Sequence, residues 1–89
     1  MMYVYSFYKF QKLDNLSKLK EEIYNSLNKY SIKGTVLLSH DGMNANMSKQ
    51  QYLLDLASTD ISKIINLTNV LLNKSKTKDN EYKTSKVKI

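Results

Sequence analysis

What the 89-residue sequence lacks limits the chemistry open to it. It has no Cys and no Arg, and its two glycines are Gly34 and Gly42. Without Cys there are no disulfides, thiolate metal sites or cysteine nucleophile, although the redox compartment stays undetermined. Without Arg there is no bidentate guanidinium clamp for phosphate or carboxylate. Two isolated glycines also cannot form a Walker loop or a dinucleotide fingerprint, so we expect no cofactor bound by those motifs.

The sequence also offers few residues for acid–base catalysis or metal binding. The single histidine, His40, stands beside Asp41 without a nucleophile, so we interpret it as a turn residue. The eight acidic residues are dispersed along the chain rather than clustered with metal-ligand spacing. The sequence therefore predicts no catalytic residue, no cofactor and no metal in this chain.

Long hydrophobic runs are also missing. Apolar runs such as residues 36–38 are far shorter than the roughly 20 residues that cross a bilayer. The N-terminus lacks a basic segment ahead of its apolar stretch and a small-residue cleavage site. We expect a cytoplasmic protein with no membrane association.

The composition that is present is that of one folded domain, residues 1–89. Hydrophobic residues make up 42% and charged residues 25% of the chain. The net charge of +6 is uneven, because residues 74–89 hold 6 of the 14 lysines and only 2 of the 8 acids. Those lysines could follow a phosphate backbone, or they could simply reflect an AT-rich genome.

The first half of the chain predicts strand, helix and strand. Residues 3–10 are rich in aromatic and β-branched side chains, which favours a central strand. Asp14 or Asn15 can cap a helix, and Gly34 would release the chain into a strand at residues 35–39. The apolar stripe of that helix is spaced by three and four residues: Leu16, Leu19, Ile23, Leu27 and Tyr30.

Asp41-Gly42 then predicts a hairpin with a type I′ turn, in which both central residues have positive φ. In the strand that follows, alternate apolar residues should face the core, which leaves Asn44, Asn46 and Ser48 facing outward.

The second half predicts one interrupted helix at residues 49–68, with a break at residues 58–60. Residues 70–72 favour a short strand, residues 74–81 a polar Lys-rich loop, and residues 82–89 a final edge strand. The order βαββαβ indicates an α+β, ferredoxin-like fold, with an antiparallel sheet, two helices on one face, and strands one and three at the centre.

Two function classes share this plan. Acylphosphatases rely on an Arg that cradles phosphate and an Asn that orients water, and the sequence lacks the Arg. RNA-recognition modules stack bases on strand aromatics, a role open to Tyr3, Tyr5, Phe7 and Tyr8. The alternative is that these four aromatics fill the core.

Three segments carry a more specific signal. Residues 7–10 read F-Y-K-F, residues 33–48 read K-G-T-V-L-L-S-H-D-G-M-N-A-N-M-S, and residues 86–89 read K-V-K-I. In this order they resemble the N-terminal acylphosphatase-like domain of the rhodanese-like tRNA uridine hydroxylase family. The hairpin motif of the resemblance comprises Gly34, Asp41, Gly42 and Asn44.

The resemblance implies an enzyme that oxygenates the wobble uridine of certain tRNAs to 5-hydroxyuridine. Its catalytic cysteine would lie in a rhodanese domain that follows this one, so this chain alone would be a non-catalytic module. The partners implied are tRNA and a rhodanese domain in the same or a separate chain. A stand-alone acylphosphatase-like hydrolase and a vestigial fragment without activity remain alternatives.

Candidate contacts with RNA or with the rhodanese domain are polar residues of the hairpin strand and lysines of the C-terminal quarter. They are Asn44, Asn46, Lys74, Lys76, Lys78, Lys86 and Lys88. For Asn44 a second interpretation is that its amide hydrogen-bonds the backbone of its own turn.

Overall fold

The computed structural model of the chain describes residues 2–66, 71–77 and 84–89. Within these residues, five strands and two helices follow one another along the chain. They are β1 (Met2–Phe10), α1 (Leu16–Lys29), β2 (Lys33–Ser39), β3 (Gly42–Gln50), α2 (Gln51–Ile64), β4 (Leu71–Thr77) and β5 (Ser85–Lys88).

The strands form one sheet in the order β4-β1-β3-β2-β5. Every neighbouring pair is antiparallel except β2 and β5, which are parallel. The predicted α+β plan is confirmed, with β1 and β3 at the centre and both helices on one face.

The core lies between the sheet and the helices, and strand alternation decides which side chains enter it. Tyr5 and Phe7 of β1 are buried there, as are the alternate apolar residues predicted for β3. From the predicted stripe of α1, Ile23 and Leu27 are fully buried, and the other three residues pack at the core margin. Burial of these side chains is the main favourable free-energy contribution to folding.

The C-terminal quarter differs from the prediction. Residues 74–77 do not form a loop but belong to β4, which pairs with β1 and completes the βαββαβ order. β5 is therefore a fifth strand, held beside β2 by the Gly34 N–H, which donates to the Thr84 carbonyl at 2.9 Å. An edge strand needs one partner and tolerates lysines, so its sequence can be as polar as a loop. Val70, the rest of the predicted loop and residues 82–83 of the predicted strand lie outside the described residues.

The break predicted in the second helix is wrong, because α2 is continuous through residues 58–60. The Thr59 hydroxyl donates to the Asp55 carbonyl at 3.0 Å, one turn back in the same helix. The Asp60 carboxylate accepts the Tyr30 hydroxyl at 2.9 Å instead of capping a new helix.

The predicted start of α1 is confirmed, but the predicted side-chain cap is absent. Asn15 is the N-cap residue, its φ is 54°, and its side chain makes no capping hydrogen bond.

The hairpin is present, but its turn is not type I′. The two loop residues are His40 and Asp41, neither of which has positive φ, and Gly42 opens β3 with φ 151°. A Cβ on Gly42 would lie 2.0 Å from the Lys9 carbonyl oxygen, so this glycine allows the close approach of β1.

Gly34 has a related role rather than the predicted release from the helix. It lies within β2, four residues after Tyr30, the C-cap of α1. A Cβ there would lie 2.0 Å from the Asn46 carbonyl oxygen of β3.

Candidate functional site

The sheet surface opposite the helices is the candidate site, and we call it the open face. Strand pairing arranges it in rows that cross the sheet, because paired residues point to the same side. One row contains Tyr8, Asn44, Leu37 and Lys88, and the next contains Ser6, Asn46, Thr35 and Lys86.

Pairing brings four of the seven predicted contact residues together. Asn44 and Asn46 lie on β3, and Lys88 and Lys86 end the same two rows on β5. The nearest of these asparagines and lysines are separated by one strand, β2. The sequence could not show this, because it does not reveal that β5 pairs with β2.

Two of the other predicted lysines are not part of this surface. Lys74 and Lys76 pair with Tyr5 and Tyr3, so their side chains lie on the helix side of the sheet. Lys78 lies outside the described residues.

The open face is positively charged. Lys33 joins Lys86 and Lys88 there, because Lys33 pairs with Ser48 in a third row. On the described strands no Asp or Glu faces this side, and the nearest acid in the sequence is Asp41 in the hairpin loop. This surface therefore suits an anionic partner.

Two exposed aromatic rings lie at the hairpin end of the open face. Tyr8 is 54% exposed and Phe10 is 73% exposed, and their rings meet edge to face with centroids 4.8 Å apart. Of the four aromatics proposed for stacking, Tyr5 and Phe7 are core residues and Tyr3 packs at the core margin. Phe10 was missed as a candidate, although its alternation with Tyr8 along β1 places the two on one face.

The polar groups between these rings and the lysines differ in their bonding. The Ser6 hydroxyl donates to Asn46 Oδ1 at 2.7 Å, which engages the Asn46 oxygen and leaves its N–H₂ group as a donor. Within the described residues no hydrogen bond joins Asn44 to the turn backbone, so the turn-stabilising interpretation of Asn44 is not supported. Ser48 lies on this side of the sheet in the third row, but it is fully buried, and its hydroxyl has no hydrogen-bond partner among the described residues.

Two shallow depressions adjoin the Tyr8–Asn44 pair. One, of about 210 Å³, is lined by these two residues, Leu37 and the hairpin. The other lies on the opposite side of the pair, towards Ser6 and Asn73. Tyr8 and Asn44 line both.

The loop between β1 and α1 is tied to the hairpin. The Gln11 N–H donates to the Asp41 carbonyl and the Leu13 N–H donates to the His40 carbonyl, each at 3.0 Å. His40 Nδ1 lies 3.0 Å from the Leu13 carbonyl, to which it donates, so His40 is a structural turn residue. An anion-binding nest needs successive free backbone N–H groups, and two in this loop are already bonded.

A second polar cluster lies on the helix side of the sheet. The Tyr5 hydroxyl donates to Asp55 Oδ1 at 2.6 Å, and Lys74 Nζ lies 3.8 Å from the same oxygen. Burial, and next the hydrogen bond to Asp55, raise the pKa of the Tyr5 hydroxyl above its ordinary value. This cluster joins β1, α2 and β4. The contact with Asp55 gives Lys74 a structural role.

The described residues include neither a membrane-spanning helix nor a metal-binding cluster. No helix among them has the length and apolar character needed to cross a membrane. They also contain no group of three or more His, Cys, Asp or Glu side chains able to hold a metal ion.

Solved structures that resemble the chain share its fold at low identity. An acylphosphatase from Bacillus subtilis superposes with a TM-score of 0.69 at 10% identity, covering 100% of this chain and 99% of that one. Full-length HypF superposes with a TM-score of 0.76 at 16% identity, but this chain covers only 12% of it. The fold is therefore acylphosphatase-like.

Sequence relatives agree with the resemblance found in the motifs. A tRNA uridine(34) hydroxylase from Pelagibacter ubique is 38% identical over 90 residues, which cover all of this chain and 30% of that protein. The one from Wigglesworthia glossinidia brevipalpis is 29% identical over 85 residues, or 27% of its length. The chain thus spans less than a third of these relatives. The family described as the UPF0176 acylphosphatase-like domain matches residues 2–89, and the chain belongs to that family.

Proposed function

We propose that this domain is a non-catalytic module of a tRNA uridine hydroxylase and that it contacts tRNA through its open face. The relatives that share its sequence are named for that activity, and the chain matches about 30% of the first of them. Covalent chemistry is assigned to the rhodanese domain that the resemblance implies. The proposal locates the domain in the cytoplasm, where tRNA is modified.

The observation that carries the proposal is the distribution of charge and aromatic rings on the open face. Lys33, Lys86 and Lys88 share it, with no carboxylate on its described strands, and Tyr8 and Phe10 are exposed at its other end. Lysine ammonium groups bind phosphates as point charges, and aromatic rings stack on unpaired bases. Both requirements of RNA binding are therefore met on one surface.

Binding of bulk tRNA to the purified domain tests the proposal. We expect a gel shift at low salt that weakens steeply as salt is raised, because lysine–phosphate contacts release counterions. The variant Lys86→Gln/Lys88→Gln should weaken binding, and Lys20→Gln/Lys63→Gln, which removes the same charge from exposed positions on the helices, should not.

Two results would contradict the proposal. One is the absence of any shift at low salt. The other is equal weakening by both double variants, because it would mean that net charge rather than the open face determines binding.

Docking onto a rhodanese domain is a second candidate, and one observation favours it. Tyr52 and Leu56 are 66% and 49% exposed. They lie one helical turn apart on α2 and form an exposed apolar patch. A rhodanese domain added in trans should bind the domain, and Tyr52→Ala/Leu56→Ala should abolish that binding while leaving tRNA binding intact.

The hydrolase alternative has less support from the molecule. The acylphosphatase-like fold is present, but the sequence has no Arg, and two N–H groups of the β1–α1 loop are bonded to the hairpin. We expect the purified domain not to hydrolyse an acyl phosphate, and measurable turnover would revive this alternative.

A further inference from the structure

Binding of RNA by charge alone needs only lysines. The exposed aromatic rings and the two asparagines next to them offer more specific contacts. We infer that Tyr8, Phe10 and Asn44 form a site for one unpaired nucleobase of the bound RNA. This inference rests on the proposed function and specifies which part of the RNA the open face recognises.

The two rings provide the stacking surface. Their planes are 82° apart with centroids separated by 4.8 Å, so they form a corner on the sheet. A base that lies flat on one ring turns its edge towards the face of the other, which restricts the orientation of the base. The exposure of both rings shows that no described residue covers them.

The Asn44 amide provides the hydrogen bonds. It lies directly across from Tyr8 on β3, and paired residues on one face of antiparallel strands have Cβ atoms about 5 Å apart. A side-chain amide has both a donor and an acceptor, which match the neighbouring acceptor and donor on the pairing edge of a base. Those edges are accessible only in unpaired nucleotides, which is why this site selects single-stranded RNA.

The lysines fix the path of the backbone. Lys88 ends the row that contains Tyr8 and Asn44. It lies three interstrand spacings from Tyr8, or about 14 Å. An RNA strand that runs along this row can place a base against Tyr8 and a neighbouring phosphate near Lys88. Among the open-face residues whose exposure the structure describes, the exposed large apolar side chains are the two rings and Leu37, which lie among amides and lysines. A protein partner is therefore less well matched than RNA.

A fluorescence titration can test the stacking directly, since the chain contains no Trp. Tyr8→Trp introduces a single indole at the proposed site, and Tyr52→Trp introduces one at a somewhat more exposed position on α2. A short single-stranded RNA should quench the first and leave the second unchanged, while a duplex of equal length should quench neither.

Alanine variants then measure the contribution of each group. Tyr8→Ala should weaken binding of the single strand by about 5- to 150-fold, the range typical for loss of one stacked base. Tyr8→Phe should retain binding, Asn44→Ala should lose part of it, and Tyr52→Ala should match the unmodified chain. Because Tyr8 is exposed, we expect all variants to fold, which circular dichroism checks.

The outcomes separate this inference from the proposed function. If tRNA binding depends on Lys86 and Lys88 but Tyr8→Ala and Tyr8→Trp show no effect, the nucleobase site is wrong and the RNA-binding face remains. If the single strand and the duplex bind equally and respond equally to Tyr8→Ala, the site is also wrong. If neither tRNA nor the single strand binds, both proposals fail.

Discussion

At the scale of single residues, two glycines determine how closely the central strands approach. Gly42 lies against the Lys9 carbonyl of β1, and Gly34 lies against the Asn46 carbonyl of β3. In both cases the obstacle to a larger side chain is backbone, which cannot rotate away. These two glycines of the hairpin motif therefore have a structural explanation.

Replacing Gly42 by Ala should destabilise the domain by about 2 kcal/mol or more, because its Cβ would overlap the Lys9 carbonyl. Urea unfolding followed by circular dichroism measures this. Asp41→Ala, at the exposed neighbouring loop position, should change stability by less than about 0.5 kcal/mol. Equal stability of the two variants would contradict the close approach.

Tyr5 makes stability depend on pH at the alkaline end. Its pKa is raised by burial and by the hydrogen bond to Asp55, so above about pH 10 the unfolded chain loses this proton before the folded chain does. Stability should therefore fall as the pH rises above about 10. The loss continues until the folded-state hydroxyl also ionises.

Tyr5→Phe removes that contribution. At neutral pH it should cost about 1 kcal/mol through loss of the bond to the solvent-accessible Asp55, and its stability should then fall less between pH 9 and pH 11. Melting temperatures across this range test the prediction, with Tyr52→Phe as the exposed control. A parallel decline in all three proteins would show that Tyr5 is not responsible.

At the scale of elements, polar contacts between the helices explain why the second helix is continuous. Ser58, Thr59 and Asp60 have the composition of a helix break, and local sequence predicts one there. In the folded chain Asp60 instead accepts hydrogen bonds from Tyr30 at 2.9 Å and from Ser26 at 3.3 Å, both at α1 or its C-cap. Such a tertiary partner is not visible from local spacing.

A double-mutant cycle of Tyr30→Phe and Asp60→Ala should give a coupling free energy of about 1 kcal/mol. The Phe ring keeps the contact with Lys29, whose Nζ lies 5.2 Å from the ring centroid, so the cycle isolates the hydroxyl. The same cycle with the exposed Asp14→Ala should give a coupling near zero. A zero value for Asp60 as well would show that the bond adds nothing.

The elements that the sequence predicted well are those with strong apolar periodicity. α1 and β3 have it, and their buried faces were assigned correctly. β1 was predicted as a strand, but it has apolar residues on both faces, so the sequence left its buried face open. β4 and β5 lack such periodicity, because an edge strand with one partner needs few apolar residues. Their polar sequence is equally compatible with a loop, and only the presence of a pairing partner distinguishes an edge strand from a loop.

At the scale of the whole molecule, the candidate site is a product of sheet order. Asn44 and Asn46 could be assigned to the outward side of a strand from alternation alone, and the structure places both on the open face. Lys86 and Lys88 lie in the same rows because β5 pairs with β2, a pairing that no local pattern indicated. Lys74 and Lys76, chosen by the same reasoning from charge, lie on the other side of the sheet.

The salt dependence of tRNA binding tests the central claim most directly. The logarithm of the association constant should fall linearly with the logarithm of salt concentration, with a slope set by the number of phosphates contacted. In Lys86→Gln/Lys88→Gln this slope should be smaller by about 1 to 2 than in the unmodified domain, and in Lys20→Gln/Lys63→Gln it should be unchanged. Identical slopes in all three proteins would contradict the assignment of the open face as the tRNA-binding surface.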